Sequence, residues 1–532
     1  MALSRNVRIA SLILAASFLL SALLGMVRQA IIGAAFGAGA DLDAFYAAYR
    51  IPEMLFTLVV GGALGSAFIP VFSRFWGQDD QTSAWRLARA VLTYVTLVAT
   101  VVAGLAILIA PLITATILIP QAPAAQQALT SDLMRIILLT VVIFSLSGLM
   151  MGILNANHHF VAPALAPSLN NIGMIVGAVF LTRAMGVYGL AWGAVLGALL
   201  HFGVQLPALS RVASAMRPFV SFDWHAPGLR EVLILMIPRL IGSAAVQINF
   251  VVNTALASGL ETGSLTWITV AFSLMFVTLG VIGQSVGTAI FPTLSRLGAK
   301  DDLSDFRAAL SGALQNVLFT AIPAGVGVFL MAYPLVATIY QRGEWSSFDS
   351  EQTAAALAIF AIGLPAFALQ EILARAFFAL RDTLTPVIVA VVGMLINVAL
   401  SLTLVAFIQT MPSSGLGGIA APKPFVGLAL ANVIATYLET AALWLFLRRR
   451  IGVVGGGNMW SGVLRASVAA AVMGGIVYAV RNTLPTTERY TVTLLIGGGV
   501  GSVVYGAGMF LLGAPEMQRL VGVVLRRRGN RG

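Results

Sequence analysis

The chain is written as long blocks of apolar residues separated by short polar connections. Continuous apolar runs lie at 9–36, 43–73, 88–119, 132–154, 161–182, 187–210, 231–257, 264–295, 308–333, 352–380, 384–409, 425–447, 461–480 and 491–513. A helix needs about 20 apolar residues to cross the hydrocarbon core of a bilayer. Each run reaches that scale, so the pattern predicts about fourteen transmembrane helices. None alternates polar and apolar residues, as the strands of a lipid-facing barrel would. The expected fold class is therefore an all-α, polytopic membrane protein.

Composition sharpens this reading. Hydrophobic residues make up 59% of the 532 positions and charged residues 10%. A soluble domain carries about 25% charged residues; so few cannot cover a water-facing surface. The run from Ile9 to Phe36 follows Arg5 and Arg8 but far exceeds the ~7–15-residue core of a signal peptide, so it is expected to stay as a first membrane helix.

The net charge of +11 would suggest nucleic acid in a soluble chain. Here the basic residues sit in short connections, where they act as topology signals. Fourteen crossings put both termini on one side. With the N-terminus in the cytoplasm, that side receives Arg5, Arg8, Arg74, Arg86, Arg89, Arg211, Arg217, Arg230, Arg296, Lys300, Arg307, Arg381, Arg448–Arg450, Arg465 and, in the tail, Arg519, Arg526–Arg528 and Arg531. The opposite side receives Arg135, Arg183, Arg342, Lys423, Arg481 and Arg489. The asymmetry predicts a multi-pass protein of the bacterial cytoplasmic membrane with both termini inside. It makes membrane lipids a partner and nucleic acid not one. The basic tail is expected to lie along anionic headgroups or to serve as a topology anchor.

Enzyme chemistry finds no foothold. Cysteine is absent, which removes disulfides and thiolate metal sites. His158, His159, His201 and His225 form no HExxH pattern, and no GxxxxGK[ST] sequence offers an ATP site. No catalytic residues, metal or cofactor are expected. Any transport would draw on a gradient or the membrane potential, which supplies about 2.3 kcal/mol per charge per 100 mV.

An internal repeat divides the chain. Residues 63–75 read ALGSAFIPVFSRF and residues 285–297 read SVGTAIFPTLSRL, so Gly65, Ala67, Pro70, Ser73 and Arg74 recur as Gly287, Ala289, Pro292, Ser295 and Arg296. A weaker echo sets Phe160–Pro163 against Thr383–Pro386. The main offset spans six helices, an even number, so the halves are expected to run parallel, as in carriers built from repeats about an axis along the membrane normal. The expected organisation is a six-helix lobe at 1–222, a second at 223–452, and two additional helices with a basic tail at 453–532.

Charges inside a membrane are expensive and usually face a cavity or a partner. Four arginines remain once the connections are removed: Arg28, Arg50, Arg239 and Arg375. Arg28 precedes Asp41 by 13 residues, about 20 Å at helical rise, which places it near mid-membrane. Arg50 follows Asp41 by 9 residues, about 13 Å. Asp43 and Arg50 are seven apart and share a helix face with Tyr46, just before Pro52. The set could line a site for an anion, or Asp43 could neutralise Arg50. Arg239, after Pro238, could reach a cavity or the interface. Arg375, six residues before Arg381, is explained by snorkelling. Glu53, Glu371 and Glu439 are candidate acidic partners. Gln247, Asn249, Asn253, Gln284, Asn397 and Asn432 suit helix-to-helix hydrogen bonds, and the 53 glycines suit close packing, with Gly61, Gly62 and Gly65 a candidate hinge.

The stretch RQAIIGAAFGAGADLDAFYAAYRIPEMLF at 28–56 resembles the first two helices of the MurJ/MviN lipid II flippases. So do ARAFFALRDTLTP at 374–386, FPTLSRL at 291–297 and YQRGEWSSFDSEQT at 340–353. The resemblance covers nearly the whole chain. It implies a fold of the multidrug/oligosaccharidyl-lipid/polysaccharide exporter type, with two lobes around a cationic cavity and a last helix pair holding a lipid tail. It implies lipid II as cargo, moved by alternating access by a protein expected to be monomeric. Arg28, Asp43 and Arg50 match charged family positions, and Arg239 is a further candidate for the substrate site. Arginine suits a pyrophosphate because its planar fork donates to two oxygens.

Several charged family positions differ here: Ala22, Gln29, Gly61, Phe272, Ser273 and Phe276 stand there instead. These departures leave room for an exporter of another polysaccharide-lipid unit or an inactive membrane scaffold. A drug/cation antiporter would want acids where this chain places arginines.

Overall fold

A computed structural model describes residues 5–58, 67–78, 80–157, 159–212, 220–411, 423–483 and 490–514. Gly61, Gly62, Gly65, His158, Arg217, Arg489 and the tail arginines from Arg519 onward lie outside the described residues, as do the side chains of Arg5, Arg8 and Arg239.

Every regular element among the described residues is helical. Lipid offers no hydrogen bonds to a backbone, so each segment satisfies its own amides along the helix. Among the described residues, twelve helices are long and apolar enough to cross a membrane. The two other expected runs, 43–73 and 231–257, include positions or side chains outside the described residues. The first carries α2 (Ala40–Phe56) and α3 (Ile69–Gly77) on either side of the undescribed stretch 59–66. The second is α11 (Leu229–Ser258), several of whose side chains between 237 and 245 lie outside the described residues.

The described chain forms two compact units. One comprises residues 1–266 with 342–345, the other 267–341 with 346–532. In the first, α1 (Arg5–Phe36), α2 and α3 are followed by α4 (Gln81–Leu108), the single turn α5 (Ala110–Ile113), α6 (Ala124–Ala156), α7 (Val161–Val176), the single turn α8 (Thr182–Met185), α9 (Tyr188–Gly203), α10 (Leu206–Val212) and α11. Its core closes α3 on α4. Phe72 stacks on Trp76 with ring centres 5.8 Å apart, and Trp76 meets Trp85 edge-on at 5.7 Å. Asp80 caps α4 by accepting from the Ser83 amide, and that bond holds its carboxyl below the usual carboxylate range.

Helices α7 and α9 touch backbone to backbone. Gly173 and Gly177 face Gly197 and Gly193, and a Cβ at either of the first two would sit 2.3 Å from the opposing Cα. Both pairs follow the small-xxx-small spacing that lets membrane helices approach closely. Close packing accounts for these four glycines.

The second unit begins within α12 (Ser264–Leu279) and continues with α13 (Ser285–Leu297), α14 (Ser304–Tyr340), α15 (Ser347–Ala379), α16 (Leu384–Gln409), α17 (Val426–Ile451), α18 (Gly456–Thr483) and α19 (Tyr490–Leu511). Ser346 and Asp349 form a reciprocal capping box at the start of α15, which satisfies two otherwise orphaned amides. Helices α18 and α19 pack on α14 through Met331, Ala469, Met473 and Met509, and the Tyr505 hydroxyl donates to the Phe319 carbonyl at 2.6 Å.

The weaker repeat has a backbone counterpart. At the end of α6 the amides of Asn157 and His159 donate to Ile153 and Leu154 at 3.1 and 2.9 Å. At the end of α15 the amides of Leu380 and Asp382 donate to Ala376 and Phe377 at 3.1 and 2.9 Å. Phe160 and Thr383, the residues that open α7 and α16, share nearly the same dihedrals, −94°, −20° and −97°, −18°. The two junctions share these backbone bonds and opening dihedrals.

Candidate functional site

In the first unit, Arg28 projects from α1 to α7. Its Nη1 donates to Asn171 Oδ1 at 3.0 Å and lies 3.3 Å from the Met174 sulfur. Asn171 also donates to the Ser21 carbonyl at 3.1 Å, so one amide grips α1 at two points and fixes the arginine's direction. The guanidinium is half-buried. Its Nε is buried and has no hydrogen-bond partner among the described residues. No acidic side chain is paired with Arg28 among those residues. A cationic fork with donors left over can take an anion that brings its own acceptors.

One residue on, Gln29 occupies a position where the resemblance leads one to expect an acid. It is buried and accepts from the Tyr46 hydroxyl at 2.9 Å, which ties α1 to α2. Tyr46 lies within electrostatic range of both Arg28 and Arg50. Arg50 stands one turn further along α2. Its Nε donates to Thr254 Oγ1 on α11 at 3.1 Å, its Nη1 pairs with Glu53 at 3.3 Å, and its guanidinium carbon lies 5.4 Å from the centre of the Phe250 ring. Glu53 is 44% exposed against 16% for Arg50, so the acid offsets the cation from the more open side.

Asp43 is placed differently. It does not neutralise Arg50. Its carboxylate accepts from the Gly263 amide at 2.7 Å, the Thr266 amide at 2.9 Å and the Thr266 hydroxyl at 2.6 Å. These are orphan donors at the N-terminus of α12, and Asp43 is 7% exposed. Its local chemistry is that of a cap supplied from another helix.

Arg239 lies on α11, with its side chain outside the described residues. In the second unit, Arg375 pairs with Glu371 at 2.6 Å and donates to the Gln284 carbonyl at 3.2 Å. That carbonyl ends a π-helical turn, Gly280–Gln284. Arg375 passes over Gly287, where a Cβ would meet its Nη1 at 2.2 Å; the repeated glycine makes room for an arginine. Phe272 and Phe276 stack at 6.1 Å and Phe272 meets Phe360 edge-on at 5.4 Å, while Ser273 bonds back to Thr269. Here an aromatic cluster stands where the resemblance leads one to expect charges.

The sequence reading missed Asn171, Met174 and Thr254, which orient the two arginines. The Asn170–Asn171 pair inside an apolar helix was the available signal for the first. It also missed a buried network in which Ser147 lies 2.6 Å from His201 Nδ1 and accepts from Gln205 at 2.7 Å. At the helix ends, Arg74 grips Glu231 with two bonds of 2.7 and 3.1 Å, and Arg86 pairs with Asp223 at 2.7 Å. The Arg86 guanidinium holds the Asp223 carboxyl below the usual range.

The family model of the lipid II flippase MurJ matches residues 32–497. The chain belongs to the lipid II flippase MurJ family. It is 33% identical over 441 residues to the lipid II flippase MurJ of Burkholderia cenocepacia, covering 81% of this chain and 82% of that one. It is 32% identical over 533 residues to the probable lipid II flippase MurJ of Vibrio cholerae, covering 96% and 97%. Among solved structures, a lipid II flippase MurJ in an inward closed conformation aligns with TM-score 0.77 at 23% identity, covering 96% of this chain and 100% of that one. An inward-facing multidrug resistance MATE family transporter of the MOP superfamily aligns at 0.61 with 16% identity, covering 81% and 94%. The MurJ family assignment therefore rests on sequence, and the structural neighbours show the shared fold. MurJ relatives are named as flippases rather than enzymes.

Proposed function

We propose that this chain is a lipid II flippase, moving the lipid-linked peptidoglycan precursor across the bacterial cytoplasmic membrane by alternating access. Family membership over nearly the whole chain supports the cargo. The observation that carries the mechanism is Arg28: a half-buried guanidinium inside a candidate membrane span, aimed by Asn171, with a buried donor still lacking a partner among the described residues. Arg28 engages the pyrophosphate, and Arg50 adds positive potential one helix away. Arg239 is a further candidate on α11. Asp43 serves the site by holding α2 rather than by touching cargo. An outward-moving anion is favoured by an inside-negative potential.

The topology that fits this reading has fourteen crossings, both termini in the cytoplasm, two parallel six-helix lobes at 1–222 and 223–452 and a terminal helix pair, in a monomer. Each end of the path would be opened by cargo and potential rather than by nucleotide hydrolysis.

The test is complementation of a bacterium depleted of its own flippase. Wild type should restore growth, while Arg28→Ala should fail at equal membrane abundance and Arg28→Lys should rescue weakly, since an ammonium lacks the fork. Full rescue by the double variant Arg28→Ala/Arg50→Ala would end the proposal.

A further inference from the structure

Glu439 is the acidic side chain that the transport path leaves unused. It lies 13 residues after Val426 and 12 before Ile451 on α17, about 18–20 Å from either end. That is the middle of a candidate span. Its Oε2 accepts from Gln370 Nε2 of α15 at 2.5 Å. Its Oε1 fills a slot on α16 where any side chain at Gly393 would collide, since a Cβ there would fall 1.9 Å from the oxygen. A carboxyl group is thus seated among three helices, with space kept for it by a glycine.

No cation balances it among the described residues. On α15, Arg375 is taken by Glu371 and by the Gln284 carbonyl, and the other ionisable groups, Asp349 and Glu351, lie near the helix start. Helix α16 contains no ionisable residue from Leu384 to Gln409. On α17, the Tyr437 hydroxyl donates to the Ile362 carbonyl, and Arg448 is nine residues away, about 13 Å. An uncompensated carboxylate at this depth is costly enough that the group takes up a proton instead. A metal ion would need several oxygen ligands, and no metal-holding group of His, Asp and Glu occurs among the described residues. Two turns toward the start of α17, on the same face, Asn432 keeps a buried carbonyl oxygen without a partner among the described residues. That acceptor extends the polar seam away from Glu439.

We propose that Glu439 is a proton-binding site at mid-membrane, loaded and emptied in each transport cycle. The proton binds one carboxylate oxygen and leaves it again, with no covalent step. The cycle linkage rests on the transport reading above; the proton site itself does not.

The full-length protein in detergent would be titrated from about pH 5 to pH 9 by difference infrared spectroscopy. Wild type should show a protonated-carboxyl carbonyl band that fades with rising pH and is indifferent to replacing sodium with choline. Glu439→Gln, which keeps the bond to Gln370 and the shape, should lack that band, and Gln370→Ala should move its midpoint. In liposomes carrying lipid II, an imposed pH gradient should change the wild-type rate several-fold and leave Glu439→Gln unmoved. An identical titration in Glu439→Gln, a sodium-dependent band, or an equal gradient response in the two proteins would overturn the proposal. Absence of any flipping by wild type would instead refute the transport reading, with the infrared titration still deciding the proton site.

Discussion

Removing the Asp43 carboxylate should unfasten the start of α12. Asp43→Ala leaves three buried donors, the Gly263 and Thr266 amides and the Thr266 hydroxyl, with nothing to bond to. Loss of an exposed cap costs about 1 kcal/mol. An unsatisfied buried donor costs about 1–3 kcal/mol, and bonds to charged groups are the stronger kind. Allowing for partial relaxation and for water entering the vacated space, the three together come to about 3–6 kcal/mol. Asp43→Asn should fall between, since its amide keeps one acceptor but turns a donor toward the Gly263 amide. The assay is chemical unfolding of the purified protein in detergent, with amide hydrogen exchange read at Gly263–Trp267. If Asp43→Ala unfolds like wild type and exchange at those amides is unchanged, the capping argument is wrong. A loss of flipping with no loss of stability would return Asp43 to the substrate site.

The other expectations concern packing and charge. Gly177→Leu should abolish accumulation of folded protein because its side chain would enter the backbone of α9, whereas Gly104→Leu, with nothing within 4 Å, should be tolerated; detergent-solubilised yield by size-exclusion chromatography separates them. Gly287→Val should eject Arg375 from its seat on Gln284, lowering thermal stability by about 1–3 kcal/mol through the lost bond to that carbonyl and the displaced ion pair with Glu371, and Gly287→Ala should be milder. Asp223 has its pKa lowered by Arg86, so its contribution is present above the unfolded carboxylate pKa and disappears as pH falls through the folded one. Melting curves of wild type and Asp223→Asn should therefore differ slightly at neutral pH and converge in acid.

The helices were legible because lipid imposes one simple rule, a continuous apolar block per crossing. The run 43–73 reads as one block, and it is helical up to residue 58 and again from residue 67, with residues 59–66 outside the described ones. Arg28 and Arg50 stood out because a buried guanidinium is rare in such a setting. Their orienting partners did not, because Asn171 lies 143 residues from Arg28 and Thr254 lies 204 from Arg50. Asp43 shows the limit best. Its spacing to Arg50 suggested a local pair, but the carboxylate belongs to donors 220 and 223 residues away. Gln29 looked like a lost charge and is a neutral clasp for Tyr46.

The Gly173/Gly177 contact with Gly193/Gly197 has a mechanical corollary. Two helices whose main chains already touch have no side-chain cushion to deform, so they can neither draw nearer nor shear past one another without a steric clash. Whatever rearrangement carries cargo, this pair should travel as one piece, and the Arg28 anchor at Asn171, two residues before the first of those glycines, travels with it.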